Sequence, residues 1–320
     1  MLSSGYGTPE DKFILFAALT REVVTLPHAG FIASTMPKES AGLARPEIFD
    51  HLLTEVPTVA LWLDLNLEVA PYSVIPQQFR GKQTLRIDTV GENCWHQTPS
   101  ELPVASQQKV SVDAALSSGG TLKAKVKYAL RGDNELLLRV AFHRTPKEKW
   151  KDVAQLLAIS DGFRGQITNV TTSDPYATKE PFSVEYEISQ PKFVDGSKKT
   201  VRVPALLPLP GLPEAAPAST GNSAKESIDL GTPLDIQLDA TVQLPEGTTA
   251  QVPTGTSVGR DYATFSSKYS AEGNTIHATR KLHFIMREIP AARAADWNAF
   301  LHAVQADQTQ LFTLQPPAKK

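Results

Sequence analysis

Alternation of apolar and polar residues with a period of two is the feature that most constrains the fold of this chain. Between residues 121 and 131 the even-numbered positions are apolar, and Lys123, Lys125 and Lys127 occupy odd-numbered ones. Side chains of a strand point alternately to its two faces, so this segment predicts a strand with one buried face and one solvent-exposed face. The same pattern recurs at residues 182–188, 234–242, 262–270 and 275–286.

Turn signals join several of these segments into hairpins. Gly132-Asp133-Asn134 predicts a turn into a second strand at residues 135–143, and Glu272-Gly273-Asn274 predicts a turn between the last two strands. The chain is therefore predicted to be rich in antiparallel sheet.

Three segments have helical spacing of apolar residues instead. They are residues 11–22, 146–160 and 290–307. Pro146 suits the first turn of the second helix, with Thr145 as a candidate N-cap. Each β-rich region is therefore predicted to carry one helix.

Composition limits the classes of partner. Lys and Arg total 32 and Asp and Glu total 34, which gives a formal net charge of −2. This balance predicts no nucleic-acid partner, and no apolar run reaches the roughly 18 residues that span a bilayer.

Residues 1–7 show no signal peptide, and the sequence assigns no compartment. A metal site needs three or four ligands, and the sequence offers no third candidate beside His277 and His283. Neither a metal nor a cofactor is therefore predicted.

The candidate catalytic constellation consists of His51 and Asp64 on two short predicted strands. If Pro57 and Thr58 form a two-residue turn, the residue numbers of each cross-strand pair sum to 115, so His51 lies opposite Asp64. A carboxylate that orients an imidazole is the supporting pair of a Cys-His-Asp triad. The alternative is a solvated cross-strand ion pair.

Residues 5–12, Gly-Tyr-Gly-Thr-Pro-Glu-Asp-Lys, precede an apolar helical segment. They resemble the nucleophile segment of bacterial transglutaminase-like proteins that carry DUF3857 domains, in which the motif reads Gly-Asp-Cys-Lys-Asp-Lys and begins a helix. Residues 49–51 and 62–64 resemble the histidine and aspartate segments of that family. Residues 130–133 and 287–293 resemble its C-terminal β-domains.

The resemblance implies an α+β, mostly β fold. A partial transglutaminase-like (papain-like) segment at residues 1–80 is expected to precede two antiparallel β-rich domains at 81–205 and 227–320. The Pro-rich residues 206–226 are predicted to be an extended linker between these domains.

Two departures from the family pattern bear on function. The resemblance places Pro9 where the family has its cysteine, and proline has no nucleophilic atom. The family's upstream half-domain is also expected to be missing, which predicts an exposed apolar surface on the helix at residues 11–22.

Cys94 is the single cysteine, so an internal disulfide is excluded. A weak thiol–imidazole pair with His96 is one interpretation, because residues two apart on a strand share a face. The other is that Cys94 is a small buried apolar residue.

Three functions follow from these residues. The first is a non-catalytic transglutaminase-like protein in which His51 and Asp64 are vestigial and the β-domains bind a protein or peptide. The second is a papain-like protease, amidase or transglutaminase whose nucleophile comes from another chain. The third is a fragment of a longer, exported protein.

Overall fold

Strands dominate the computed structural model of the chain, which describes residues 5–21, 26–35, 46–87, 95–194, 200–201, 212–216 and 227–315. The fold is α+β and mostly β, as predicted. The helices are α1 (Pro9–Thr20), α2 (Asp133–Arg144), α3 (Trp150–Ser160) and α4 (Ala294–Gln308). Short 3-10 turns precede α3 and α4, at Lys147–Lys149 and Ala291–Arg293.

The strands of the first part of the chain are β1 (His28–Ile32), β2 (His51–Val56), β3 (Leu61–Leu63), β4 (Gln83–Ile87), β5 (Trp95–Gln97), β6 (Gln107–Leu116), β7 (Leu122–Arg131), β8 (Gln166–Thr172) and β9 (Phe182–Gln190). Those that follow are β10 (Thr200–Val201), β11 (Ile228–Asp229), β12 (Leu234–Gln243), β13 (Thr249–Gln251), β14 (Ser257–Gly259), β15 (Ala263–Glu272), β16 (Thr275–Phe284), β17 (Glu288–Ile289) and β18 (Phe312–Gln315). The segments that alternate at 121–131, 182–188, 234–242, 262–270 and 275–286 are thus confirmed as strands.

The chain divides into two compact units, Met1–Val104 with Tyr176–Glu180 and Ala105–Pro175 with Pro181–Lys320. The structure places the first boundary at residue 104 rather than near residue 80. The reason is that β4 pairs with both β1 and β5, so the strands after residue 80 complete the first sheet.

The first unit is built on a five-stranded antiparallel sheet in the order β3-β2-β1-β4-β5. Helix α1 packs against β2. A small apolar core lies on one face of the sheet and joins Ile32, Leu53 and Trp62 to Ile75 and Phe79.

Gly30 on β1 allows the Trp62 ring to lie close to the sheet. A Cβ at this position would lie 2.8 Å from Thr84 Cγ2 and 3.1 Å from Trp62 Cζ3. We expect Gly30→Ala to lower the free energy of unfolding by about 1 to 3 kcal/mol, because the added methyl group displaces the Thr84 methyl group and the Trp62 ring. Urea denaturation followed by circular dichroism measures this change.

Gly259→Ala is the control for this substitution, because a Cβ there meets no atom within 4 Å. Equal stability changes for the two variants would contradict the close packing of Trp62 on Gly30.

The second unit contains an eight-stranded sheet in the order β14-β15-β16-β12-β6-β7-β9-β8. Strands β6 and β12 pair in parallel, and every other pair in this sheet is antiparallel. The two predicted β-domains therefore share one sheet rather than folding separately, because β12, from beyond the predicted linker, pairs with β6, from before it.

Helices α2, α3 and α4 cover one face of this sheet. A single apolar core joins Val126 of β7 to Phe142 of α2, Leu157 of α3 and Phe300 of α4. On the opposite face the alternate residues are mostly exposed and polar, as the period of two predicts.

The predicted strand at residues 135–143 is wrong, because this segment belongs to helix α2. Glu135 and Arg139, one helical turn apart, form a fully buried ion pair with Arg139 Nη2 2.8 Å from Glu135 Oε1. The Gly132 amide also donates to Glu135 Oε2 at 3.2 Å, which satisfies a free amide at the start of the helix. Each predicted β-domain was expected to carry one helix, and the first carries two.

Part of the predicted linker is anchored. Ala216 accepts a hydrogen bond from Asn298 Nδ2 at 3.0 Å, and its own amide donates to Asn298 Oδ1 at 2.8 Å. Trp297 Nε1 donates to the Glu214 carbonyl at 3.0 Å. Residues 212–216 therefore lie against α4, whereas the rest of the predicted linker falls outside the described residues.

Candidate active site

Helix α1 begins with a complete N-terminal capping box followed by proline. Thr8 is the N-cap: its hydroxyl accepts from the Asp11 amide at 3.2 Å, and its amide donates to Asp11 Oδ2 at 2.9 Å. Pro9 occupies the first helical position, where its missing amide leaves no backbone bond unmade.

The rest of α1 is apolar but poorly covered. Ile14 and Leu19 are exposed, and no residue of the helix is buried. The predicted exposed apolar surface on this helix is thus present among the described residues. Lys12 Nζ lies 3.7 Å from Glu68 Oε1, which places the first turn of α1 next to the segment that follows Asp64.

The structure brings His51 and Asp64 together. His51 Nε2 lies 2.8 Å from Asp64 Oδ2, and the Asp64 side chain is 1% exposed against 23% for His51. The Asn66 amide donates to the other carboxylate oxygen, Asp64 Oδ1, at 3.0 Å. The buried carboxylate is therefore held from both sides and fixes the orientation of the imidazole.

The predicted register of these two strands is wrong, although the contact it implied is present. Val56 pairs with Leu61 rather than with Val59, so the residue numbers of each pair sum to 117 and the register is shifted by two residues. The loop is longer because Pro57–Val59 form a 3-10 turn and Ala60 adopts a left-handed conformation, with φ at 48°. A shift of two positions keeps every side chain on its original face, so His51 and Asp64 remain on the same face.

Phe79 is a site residue that sequence reasoning missed. Its ring stacks on the His51 imidazole with centroids 4.2 Å apart and planes 17° apart. Phe79 is the last residue of a 3-10 turn, Gln77–Phe79, 28 positions after His51, and no periodic pattern links the two residues. The stacking holds the imidazole against Asp64, and His51 Nδ1 makes no hydrogen bond to any described residue.

Asp50 anchors the start of β2 beside the pair. The Ser34 amide donates to Asp50 Oδ1 at 2.8 Å, and the Ser34 hydroxyl donates to Asp50 Oδ2. These hydrogen bonds, that of the hydroxyl first, lower the pKa of the Asp50 carboxyl below its ordinary value.

The second histidine considered in the sequence lies elsewhere on the first sheet. His96 Nδ1 is 3.9 Å from Glu55 Oε1, and Arg86 Nη1 is 3.6 Å from Glu55 Oε2. Cys94, its proposed partner, falls outside the described residues.

No described residues form a group of three or more His, Cys, Asp or Glu side chains that could hold a metal ion. His277 and His283 are both exposed on β16. Within the described ranges, no helix has the length and apolar character needed to span a membrane.

Comparison with known proteins gives two findings. The model of DUF3858, a domain of unknown function with a solved structure, matches residues 206–314, about a third of the chain. A crystal structure from Parabacteroides distasonis described as a "putative protease" is 12% identical with a TM-score of 0.44, and the match covers 98% of this chain and 44% of that one. This chain thus spans less than half the length of that protein. No curated protein matches the chain.

Proposed function

We propose that this chain is a non-catalytic transglutaminase-like protein whose β-rich second unit binds a protein or peptide. The observation that carries the proposal is Pro9 in the first turn of α1, while His51 and Asp64 keep the geometry of an orienting pair. The sequence resemblance supplies the assignment of Pro9 to the nucleophile position.

The chemistry explains why this substitution is decisive. A thiol at a helix N-terminus has a lowered pKa and forms the attacking thiolate, and a neighbouring imidazole stabilises it further. Proline offers neither a proton to remove nor a lone pair for attack, so no thioester forms. Asp64 still orients His51, and no described serine, threonine or cysteine side chain hydrogen-bonds to the imidazole.

Restoring a cysteine tests this assignment. In a Cys94→Ser background, we expect the Pro9→Cys thiol to react with iodoacetamide at pH 6.5 about tenfold faster than an ordinary thiol, because the helix terminus and His51 favour the thiolate. Mass spectrometry of the alkylated chain gives the rate. His51→Ala should remove most of the acceleration.

The matched control is Ala18→Cys, which places an exposed thiol on the same helix away from its N-terminus. If the Pro9→Cys and Ala18→Cys thiols react at the same rate, Pro9 does not occupy a nucleophile position and the proposal fails. Iodoacetamide-sensitive transamidase or peptidase activity of the unmodified chain would contradict it as well.

A second function is a papain-like protease, amidase or transglutaminase whose nucleophile is supplied by another chain. The observation that favours it is the His51 side chain, which is partly exposed and has Nδ1 without a hydrogen bond to any described residue. We expect such an activity in source-cell extract to disappear on His51→Ala. An activity that survives this substitution removes the alternative.

A further inference from the structure

Helix α3 ends at a buried acidic residue, Asp161, in a position that disfavours a negative charge. The Asp161 amide donates to the Leu157 carbonyl at 2.9 Å, and Asp161 is the C-cap residue of the helix. The last carbonyl groups of a helix carry partial negative charge, so they repel an anion placed beside them. Asp161 is 5% exposed, and water therefore offers its carboxylate little compensation.

The groups that face the Asp161 carboxyl are neutral, and no described side chain forms an ion pair with it. The hydroxyls of Tyr128 on β7 and Tyr186 on β9 donate hydrogen bonds to its two oxygens. Strand β8, which packs against α3, contains no charged residue, and the charged residues of α3, Lys151 and Asp152, are exposed near its other end. Burial without a cation raises the pKa of the Asp161 carboxyl from 3.8 to about 6.

The loop that follows Asp161 closes back onto the end of α3. The Phe163 amide donates to the Ala158 carbonyl at 2.8 Å. The Gly162 amide donates to the Ile159 carbonyl at 3.1 Å, and these two bonds form a Schellman motif. Gly162 has φ at 92°, a conformation that glycine adopts readily. Phe163 is 2% exposed and belongs to the apolar core of the second unit, so it anchors the closed loop.

The far end of this loop is held by separate contacts. Gln155 Nε2 donates to the Gly165 carbonyl at 3.0 Å, and the Ile167 amide donates to Gln155 Oε1 at 3.2 Å. A Cβ at Gly165 would lie 2.4 Å from the Ser189 carbonyl oxygen, so the backbone approaches β9 closely there. Residues 161–164 therefore lie between two fixed ends, the body of α3 and the residues that begin β8.

We propose that Asp161 makes the loop at residues 161–164 a pH-dependent closure: the neutral carboxyl group keeps the loop closed, and ionisation opens it at Gly162 and exposes Phe163. Between pH 4 and pH 6 the closed form holds a proton on Asp161 that the open, hydrated form has released. The population of the open form therefore rises with pH, by about fiftyfold between pH 4 and pH 7. This inference is independent of the proposed peptide binding.

Hydrogen exchange followed by mass spectrometry tests the closure on the full chain. The exchange rates of amides 161–163 are compared with those of the same amides in an unstructured chain, which removes the pH dependence of exchange itself. We expect the resulting protection to fall about fiftyfold from pH 4 to pH 7. It should also stay below the protection of strand β7, whose amides report unfolding of the whole sheet.

Three substitutions separate the carboxyl group from the rest of the loop. Asp161→Asn stays neutral and should show no fall in protection. Asp152→Asn, at an exposed carboxylate in the first turn of the same helix, is the matched control and should keep the full fall. Tyr186→Phe decides the matter if circular dichroism shows that Asp161→Asn does not fold. It removes one donor to the ionised carboxyl group and should enlarge the fall.

Equal protection of amides 161–163 at pH 4 and pH 7 overturns the inference, and so does the same fall in Asp161→Asn as in the unmodified chain. Protection equal to that of β7 at every pH also overturns it, because the loop would then open only when the whole sheet unfolds.

Discussion

Replacing Asp307 by alanine will lower the free energy of unfolding of the second unit by about 3 to 5 kcal/mol. Asp307 Oδ2 lies 3.0 Å from Arg280 Nε, and both side chains are 0% exposed. The substitution leaves the Arg280 guanidinium buried without its counter-charge. The cost of desolvating the Arg280 charge is then no longer offset by the Asp307 carboxylate, which makes this the most destabilising single change considered.

The remaining hydrogen bonds of Asp307 explain why the pair is tolerated in the core. Ser267 Oγ donates to Asp307 Oδ1 at 2.5 Å, and Tyr269 OH donates to Oδ2 at 2.6 Å. Arg280 Nη2 also donates to the Asp307 carbonyl at 3.2 Å. Strands β15 and β16 are thus tied to the end of α4 by one satisfied network.

The matched control is Asp296→Ala at the other end of α4. Asp296 pairs with Arg260 and Arg293, but its side chain is 33% exposed, so water replaces the lost contacts and the change should be much smaller. Urea denaturation compares the two variants. The double variant Arg280→Met with Asp307→Leu should recover most of the stability, since an apolar pair can replace a buried ion pair. Similar losses for Asp307→Ala and Asp296→Ala would contradict this account.

Between pH 4 and pH 7 the contribution of Asp161 to the free energy of unfolding of the second unit will fall by about 2 to 3 kcal/mol. Its carboxylate is buried at the end of α3 and accepts hydrogen bonds from the hydroxyls of Tyr128 and Tyr186. Burial raises the pKa of Asp161 from 3.8 to about 6, since two neutral donors offset only part of the cost of desolvating the charge.

The sign follows from the proton count. Between pH 4 and pH 6 the folded state holds a proton on Asp161 that the unfolded chain has released, so this contribution is complete below pH 4 and is lost as the pH rises through 6. Burial also raises the pKa of both tyrosines, which keeps them protonated donors throughout this range.

Asp161→Asn isolates the effect, because asparagine stays neutral at every pH. Urea denaturation at pH 4, 5, 6 and 7 should show the variant gaining about 2 to 3 kcal/mol relative to the unmodified protein as the pH rises. Other titrating groups cancel in this difference. A difference that stays constant from pH 4 to pH 7 would show that the pKa of Asp161 is not raised in the folded protein.

Local pattern predicted much of the fold and part of the candidate site. The alternation in residues 121–131 gave a strand with the correct buried face, because the pleat fixes the direction of each side chain within the strand. The same rule placed His51 and Asp64 on one face, even though the loop after Val56 is two residues longer than expected. The assignment of Pro9 to a nucleophile position came from the family resemblance instead, and it stays a prediction.

Other features depend on partners distant in sequence. Residues 135–143 have a pattern compatible with either strand or helix, and the buried Glu135–Arg139 pair shows that helix is the outcome. Phe79 reaches His51 only because the chain between them folds back over the sheet. No periodicity encodes such a contact, since it depends on where the intervening residues pack.

The sequence by itself determined that the chain is mostly strand and that an imidazole and a carboxylate share a face. Only the tertiary structure decided that β12 lies parallel to β6, so that two predicted domains share one sheet, and that Asp161, Arg280 and Asp307 are buried. The physical reason is the separation along the chain of the residues that decide each feature. Side-chain direction is set within one strand or turn, whereas strand order and the burial of charge depend on the free energy of packing residues that lie far apart along the chain.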